Sequence, residues 1–221
     1  MVMTKDEKRD RMADMVSYLK KTYGEPKTEL AYAKDYELLF AVMLSAQCTD
    51  KRVNMVTPGL FKKYKTLKAF ARVEVDDLRK DISSISFPNN KAKHMIETAQ
   101  TLLRDFDGIV PQGIPQLLTL KGVARKTANV VRGELYGEWD GIAIDTHVKR
   151  FARKFDISHA RSADAMEREL MALVPKQDWR YVNNGWVLYG RYVCTAIKHD
   201  CSEHALTKIW PPAAHRWPKT D

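Results

Sequence analysis

The stretch LTLKGVARKTANVVRGELYGEWDGIAIDTHVKR, residues 118–150, does most to limit what this chain can become. Leu118 and Leu120 close an apolar helix that begins near Ile114. Lys121-Gly122-Val123-Ala124 then reads as a tight turn, because Gly122 supplies the backbone freedom that a sharp reversal needs. Arg125 to Tyr136 reads as the next helix. Ala128, Val131 and Leu135 recur at the spacing of one buried face, and Gly137 stops it. Asp145 stands in the position of an N-cap, opening a third helix over Thr146 to Phe155. The pattern is a helix-hairpin-helix. Its turn amides lie at the positive end of the second helix, and Lys121 and Arg125 add charge on either side, so the turn suits a phosphate. Such a contact grips a nucleic-acid backbone without reading sequence. Taken alone, Gly122-Val123-Ala124 between two helices is equally what a plain structural turn looks like.

Lys126 and Asp145 change the weight of that reading. Lys126 falls in the first turn of the second helix, and Asp145 follows 145 − 126 = 19 positions later, at the next helix start. A neutral lysine amine can attack a carbonyl-like carbon and form a Schiff base. The helix N-terminus and the neighbouring Arg125 both disfavour a charged ammonium there. A carboxylate beside such an amine can take a proton, or stabilise the cation that forms when a glycosidic bond breaks. Each residue alone is ordinary: among 37 lysines and arginines most are solvated charges, and an aspartate before a helix is usually only a cap.

Leu120-Lys121-Gly122-Val123-Ala124-Arg125-Lys126-Thr127-Ala128-Asn129-Val130-Val131, followed by Ile144-Asp145-Thr146-His147, closely resembles the endonuclease III group of helix-hairpin-helix DNA glycosylases. In that group the motif runs L-P-G-V-G-R-K-T-A-N-V-V and then V-D-T-H. The resemblance implies that Lys126 is the Schiff-base nucleophile and Asp145 the essential carboxylate. It also implies that Lys121, Gly122, Val123, Ala124 and Arg125 meet the DNA backbone. Two residues depart from the motif: Lys121 replaces a proline, and Ala124 the second glycine. Alanine can still bare its amide, and Lys121 adds a phosphate-seeking charge.

The same resemblance extends to both sides. Ser45-Ala46-Gln47-Cys48-Thr49-Asp50 matches the group's L-S-A-Q-x-T-D, whose glutamine enters the DNA stack where the damaged base was. An enzyme that extrudes a base must fill the hole it leaves. Ile85-Ser86-Phe87-Pro88-Asn89-Asn90-Lys91-Ala92 matches I-G-L/F-x-N-x-K-A, in which the apolar residue wedges into the opposite strand. Phe87 suits that task, since an aromatic ring stacks on bases. Without the resemblance, Gln47 reads as an exposed polar turn and Phe87 as core. Lys91 and Lys93 are basic and close, suited to phosphate, and His147 is placed with Gln47 and Phe87 at the opened duplex.

Elsewhere the sequence predicts an all-α protein. Strand signals are weak, and helices are expected over residues 5–22, 36–46, from 51 onward, within 67–82, and over 91–106, 163–174 and 179–194. Trp186, Tyr189 and Tyr192 read as core aromatics. The chain has 221 residues, of which 44% are hydrophobic, enough for one or two domains with a core. Its net charge of +9 suggests a polyanionic partner. A charged N-terminus predicts no secretion signal, and the longest largely apolar run, Leu38 to Ala46, is too short to span a bilayer. Three cysteines argue against a disulfide framework and for a reducing, cytoplasmic setting, nucleoid-associated in a prokaryote.

The C-terminal segment breaks the group's pattern. Gly190-Arg191-Tyr192-Val193-Cys194 resembles H-G-R-Y-x-C, which opens a C-x6-C-x2-C-x5-C set holding an iron–sulfur cluster. Cys194 and Cys201 keep the first spacing, but the third place is His204 and the fourth is Trp210. The expectation is therefore that no metal is held and no iron–sulfur cluster forms, with Leu206, Ile209, Trp210 and Trp217 as an apolar plug. Zinc on Cys194, Cys201, His204 and His215 is the alternative.

Together these readings imply two helical lobes with a DNA cleft between them: a six-helix lobe over 28–137 carrying the hairpin, and a second built from 1–27 and 138–221 without an iron–sulfur cluster. The implied activity is base-excision repair by a bifunctional DNA glycosylase and abasic-site (AP) lyase, on oxidised pyrimidines, acting as a monomer on double-stranded DNA that carries damaged bases or abasic sites, with no membrane partner. A mismatch or uracil-type glycosylase of the same fold, or a non-catalytic DNA-binding module, stands as the alternative. The Lys126 and Asp145 pair argues against the last, because phosphate binding needs neither.

Overall fold

The computed structural model describes residues 3–217, and every regular element among them is helical, as expected. No helix among these residues is long and apolar enough to cross a membrane. The chain divides into two units: Thr28–Glu138, and the segment up to Lys27 joined with the segment from Trp139 onward.

The chain begins with α1 (Lys5–Tyr23), whose Thr4 N-cap forms a reciprocal capping box with Glu7. Met12, Met15, Val16 and Leu19 are buried along one face, the spacing of a single helical stripe. Gly24 ends it in a left-handed backbone.

Within the 28–138 unit, α2 (Asp35–Ser45) is buried nearly all round and forms the axis of the core. It packs against α3 (Asp50–Lys63), capped by the Thr49 hydroxyl. Next come the short α4 (Leu67–Arg72) and α5 (Val75–Asp81), which both pack on α6 (Pro88–Asp105). Phe40, Phe70 and Tyr64 meet at edge-on or tilted angles inside this core. The helix expected from Ile114 is a single turn, α7 (Ile114–Leu117). Then comes α8 (Arg125–Tyr136), with Ala128 and Val131 buried and Leu135 packed against the core.

In the other unit, α1 is joined by α9 (Thr146–Lys154), α10 (Ala163–Met171, capped by Ser162), α11 (Trp186–Tyr192) and α12 (Ala205–Ile209). The helix expected over 179–194 is interrupted by one wide turn at Tyr181–Gly185. Trp186 and Tyr189 are in the core, but Tyr192 is exposed. At 100° per residue Tyr192 lies some way round the helix from Trp186, and α11 ends there, so the expected core face does not reach it. Leu206 is fully buried, while Ile209, Trp210 and Trp217 pack on the core only in part.

Candidate functional site

The hairpin turn is built from two directions. Gly122 has φ +76°, a left-handed backbone, and a Cβ there would lie 2.8 Å from Nδ1 of His94 on α6. Glycine is thus required both by conformation and by space. One turn further along α6, Thr98 donates its hydroxyl to the Lys121 carbonyl at 2.8 Å. The Val123 amide donates to the Leu120 carbonyl and its side chain is buried, so Val123 shapes the turn from inside and does not present a side chain to a ligand. Lys121, Ala124, Arg125 and Lys126 are exposed. Ala124 is the extended N-cap of α8, and no side-chain cap covers the positive end of that helix. Gly122→Ala should lower stability by about 1–3 kcal/mol, since His94 must move. A thermal melt unchanged from wild type would mean that the His94 contact is soft.

Gln47 and Phe87 are also brought together. Both are non-glycine residues with positive φ, +54° and +57°, and both are exposed, Phe87 at 59%. The Ser86 hydroxyl donates to the Gln47 carbonyl at 2.7 Å, tying the two loops. Left-handed backbone at residues of this kind costs about 1–3 kcal/mol each and tends to collect where side chains must be aimed. Lys91, expected to meet a phosphate, does something else: it is 8% exposed, and its ammonium donates to the carbonyls of Leu44 at 2.8 Å and Ala46 at 2.6 Å. The last carbonyls of α2 have no partner within the helix, and Lys91 supplies one. Burial also pushes its ammonium below the ordinary lysine range.

In the other unit, Asp145 is the half-buried N-cap of α9 and accepts the Val148 amide at Oδ1, 2.8 Å. The cap engages one carboxylate oxygen. The loop entering it is fixed by buried Asn183, which accepts the Ala143 amide at 2.7 Å and donates to the Gly141 carbonyl at 3.3 Å. His147 lies against Gly190, where a Cβ would come within 2.3 Å of its Nδ1. Arg150, buried on the same helix, donates to the carbonyls of Cys194 at 2.7 Å and Thr195 at 3.2 Å. Sequence reasoning passed over His94, Thr98, Asn183 and Arg150. Each acts on a residue far along the chain, so no local spacing could have marked it.

The expectation that the C-terminal segment holds no metal is overturned. Cys194, Cys201 and His204 place their ligand atoms within 4.8 Å of one another, a group able to hold a metal ion. The expectation failed because it counted cysteines at fixed spacings and discounted the imidazole at the third place. His215, the fourth ligand in the zinc alternative, is not in this group; it is exposed at the end of a short turn.

The sequence profile described as HhH-GPD superfamily base excision DNA repair protein matches residues 40–176. Endonuclease III of Synechocystis is 41% identical over 206 residues, which is 93% of this chain and 94% of that protein. Among solved structures, a non-covalent endonuclease III–DNA complex superposes with a TM-score of 0.85 at 34% identity, covering 96% of this chain and 99% of the other. A trapped endonuclease III–DNA covalent intermediate gives 0.85 at 33% identity, covering 95% and 99%.

Proposed function

The chain belongs to the HhH-GPD superfamily of base excision DNA repair proteins, and from that membership we propose how its residues act. It is a base-excision-repair glycosylase that also cleaves the strand at the abasic site. Its place within the superfamily is that of an endonuclease III-like enzyme whose four-cysteine set is replaced at the third and fourth positions by His204 and Trp210.

The observation that carries the reading is the position of Lys126. It is the exposed second residue of α8, directly after a hairpin turn whose helix end carries no side-chain cap. The turn and the charges of Lys121 and Arg125 hold the DNA backbone. Gln47 and Phe87, aimed by their left-handed backbones and tied through Ser86, occupy the duplex where the damaged nucleotide is extruded, and His147 adds a contact at the opened site. Lys126 Nζ attacks the sugar C1′ with its lone pair. The C1′–N bond breaks with its electron pair going to the base, which takes up a proton from solvent as it leaves. Asp145 stabilises the positive charge that builds on the sugar and accepts the lysine's proton. The amine–sugar adduct opens to a Schiff base. Loss of a C2′ proton then breaks the C3′–O bond and expels the 3′ phosphate. Oxidised pyrimidines are the substrates we assign, on the endonuclease III likeness.

A duplex with one abasic site tests this: incubation should nick the lesion strand by β-elimination, and an intact strand would remove the lyase assignment. Phe87→Ala should weaken binding to lesion duplex by about 1–3 kcal/mol, the worth of one base–aromatic stack, or roughly 5- to 150-fold. Its thermal stability should barely move, because the ring is mostly solvent-exposed. Wild-type affinity in that variant would take Phe87 out of the duplex.

A further inference from the structure

Two buried imidazole nitrogens near the cysteine pair have no hydrogen-bond partner among the described residues: Nδ1 of His204 and Nε2 of His199. Orphaned buried polar atoms are uncommon in folded proteins, and each calls for an explanation. The two rings lie with centroids 5.1 Å apart, and His204 shares the 4.8 Å group with Cys194 and Cys201. His199 Nδ1 is 2.7 Å from the Ile197 carbonyl. A carbonyl only accepts, so Nδ1 carries the proton and Nε2 carries the lone pair. Carbonyls fix metal-binding imidazoles in this way. Trp217 lies edge-on to His199 at 4.9 Å.

A four-thiolate iron–sulfur cluster does not fit these residues. The third place of the spacing is an imidazole. The fourth is Trp210, an indole without a ligating lone pair, packed beneath the guanidinium groups of Arg11 at 4.3 Å and Arg216 at 4.6 Å. A single ion fits better. Bonds of about 2.3 Å to sulfur and 2.0–2.1 Å to nitrogen set tetrahedral ligands roughly 3.4–3.8 Å apart. Cys194, Cys201 and His204, already within 4.8 Å, reach that spacing by small side-chain shifts; His199 lies outside that group, with its ring centroid 5.1 Å from that of His204, and must swing in to join them.

We propose that Cys194, Cys201, His204 and His199 bind one divalent ion of the zinc class in a closed tetrahedral site. The site spans the loop after α11 and the start of α12, so its role is to brace that segment.

Elemental and sulfide analysis of the tag-free protein, purified without chelator, tests the site independently of repair activity. The expected result is one zinc per chain without acid-labile sulfide. Exchange into cobalt(II) should give the intense visible bands of a tetrahedral thiolate site. Cys201→Ser and His204→Gln should each weaken cobalt binding at least tenfold, and His199→Gln should collapse the tetrahedral band intensity. Iron with matching sulfide overturns the proposal. So does a folded wild-type protein that holds no zinc and takes up no cobalt. An unchanged cobalt spectrum in His199→Gln overturns the four-ligand form.

Discussion

Lys126→Ala should abolish borohydride trapping on abasic-site DNA, because the hydride can only fix an amine that has condensed with the sugar. Strand cleavage should fall by at least about a thousandfold, the order seen when an enzyme loses its covalent nucleophile. Binding should change little. Lys126 is exposed, and the turn before it is held by His94, Thr98 and the buried Val123, none of which the substitution touches. The partner variant is Asp145→Asn. Asparagine caps a helix as well as aspartate does, so the Val148 amide keeps an acceptor and stability should hold. It brings no negative charge to the developing sugar cation and takes up no proton. Cleavage should therefore drop by about 10²–10⁴-fold. Trapping that survives in Lys126→Ala would place the nucleophile elsewhere. A fully active Asp145→Asn would reduce Asp145 to a cap.

The two variants also mark what local sequence can reveal. α8 is legible to the residue, Arg125–Tyr136, because its apolar face and its Gly137 stop lie within a dozen positions. Thr4, Thr49 and Ser162 are local signals of the same kind, each capping the helix that follows it. Tyr192 was misread because periodicity gives a face without saying where the helix stops. The wide turn at Tyr181–Gly185 left no mark either, since no proline or glycine pair interrupts the pattern before Gly185.

The site divides along the same line. Lys126 and Asp145 stood out because their chemistry and their helix-start positions agree. What supports them did not stand out. His94 is one histidine on an amphipathic helix until Gly122 is folded against it. Asn183 acts on Gly141 and Ala143 across a gap of some forty residues. His199 was passed over for a related reason: it falls outside any expected ligand spacing, and only the fold brings its ring beside His204.

Lys91 and Lys121 provide the sharpest contrast, since both read as phosphate-binding lysines in the sequence. Lys121→Ala should reduce the slope of log affinity against log salt by about one unit, the loss of one phosphate contact, with little change in stability. Lys91→Met should leave that slope unchanged, because its ammonium is engaged with the carbonyls of Leu44 and Ala46. Instead it strands two acceptors at the end of α2, each costing about 1–3 kcal/mol when buried without a partner. The melting temperature should fall by roughly 4–24 °C for a chain of this size. The second carbonyl belongs to Ala46, the residue just before Gln47, so the variant also loosens the loop that carries Gln47, the residue proposed to enter the duplex. Lesion-duplex affinity should then weaken at every salt concentration by the same factor, a parallel shift of the line, whereas loss of a phosphate contact tilts it. A tilted line for Lys91→Met would return that lysine to the DNA backbone, and a melting temperature equal to wild type would mean that water replaces it at the helix end.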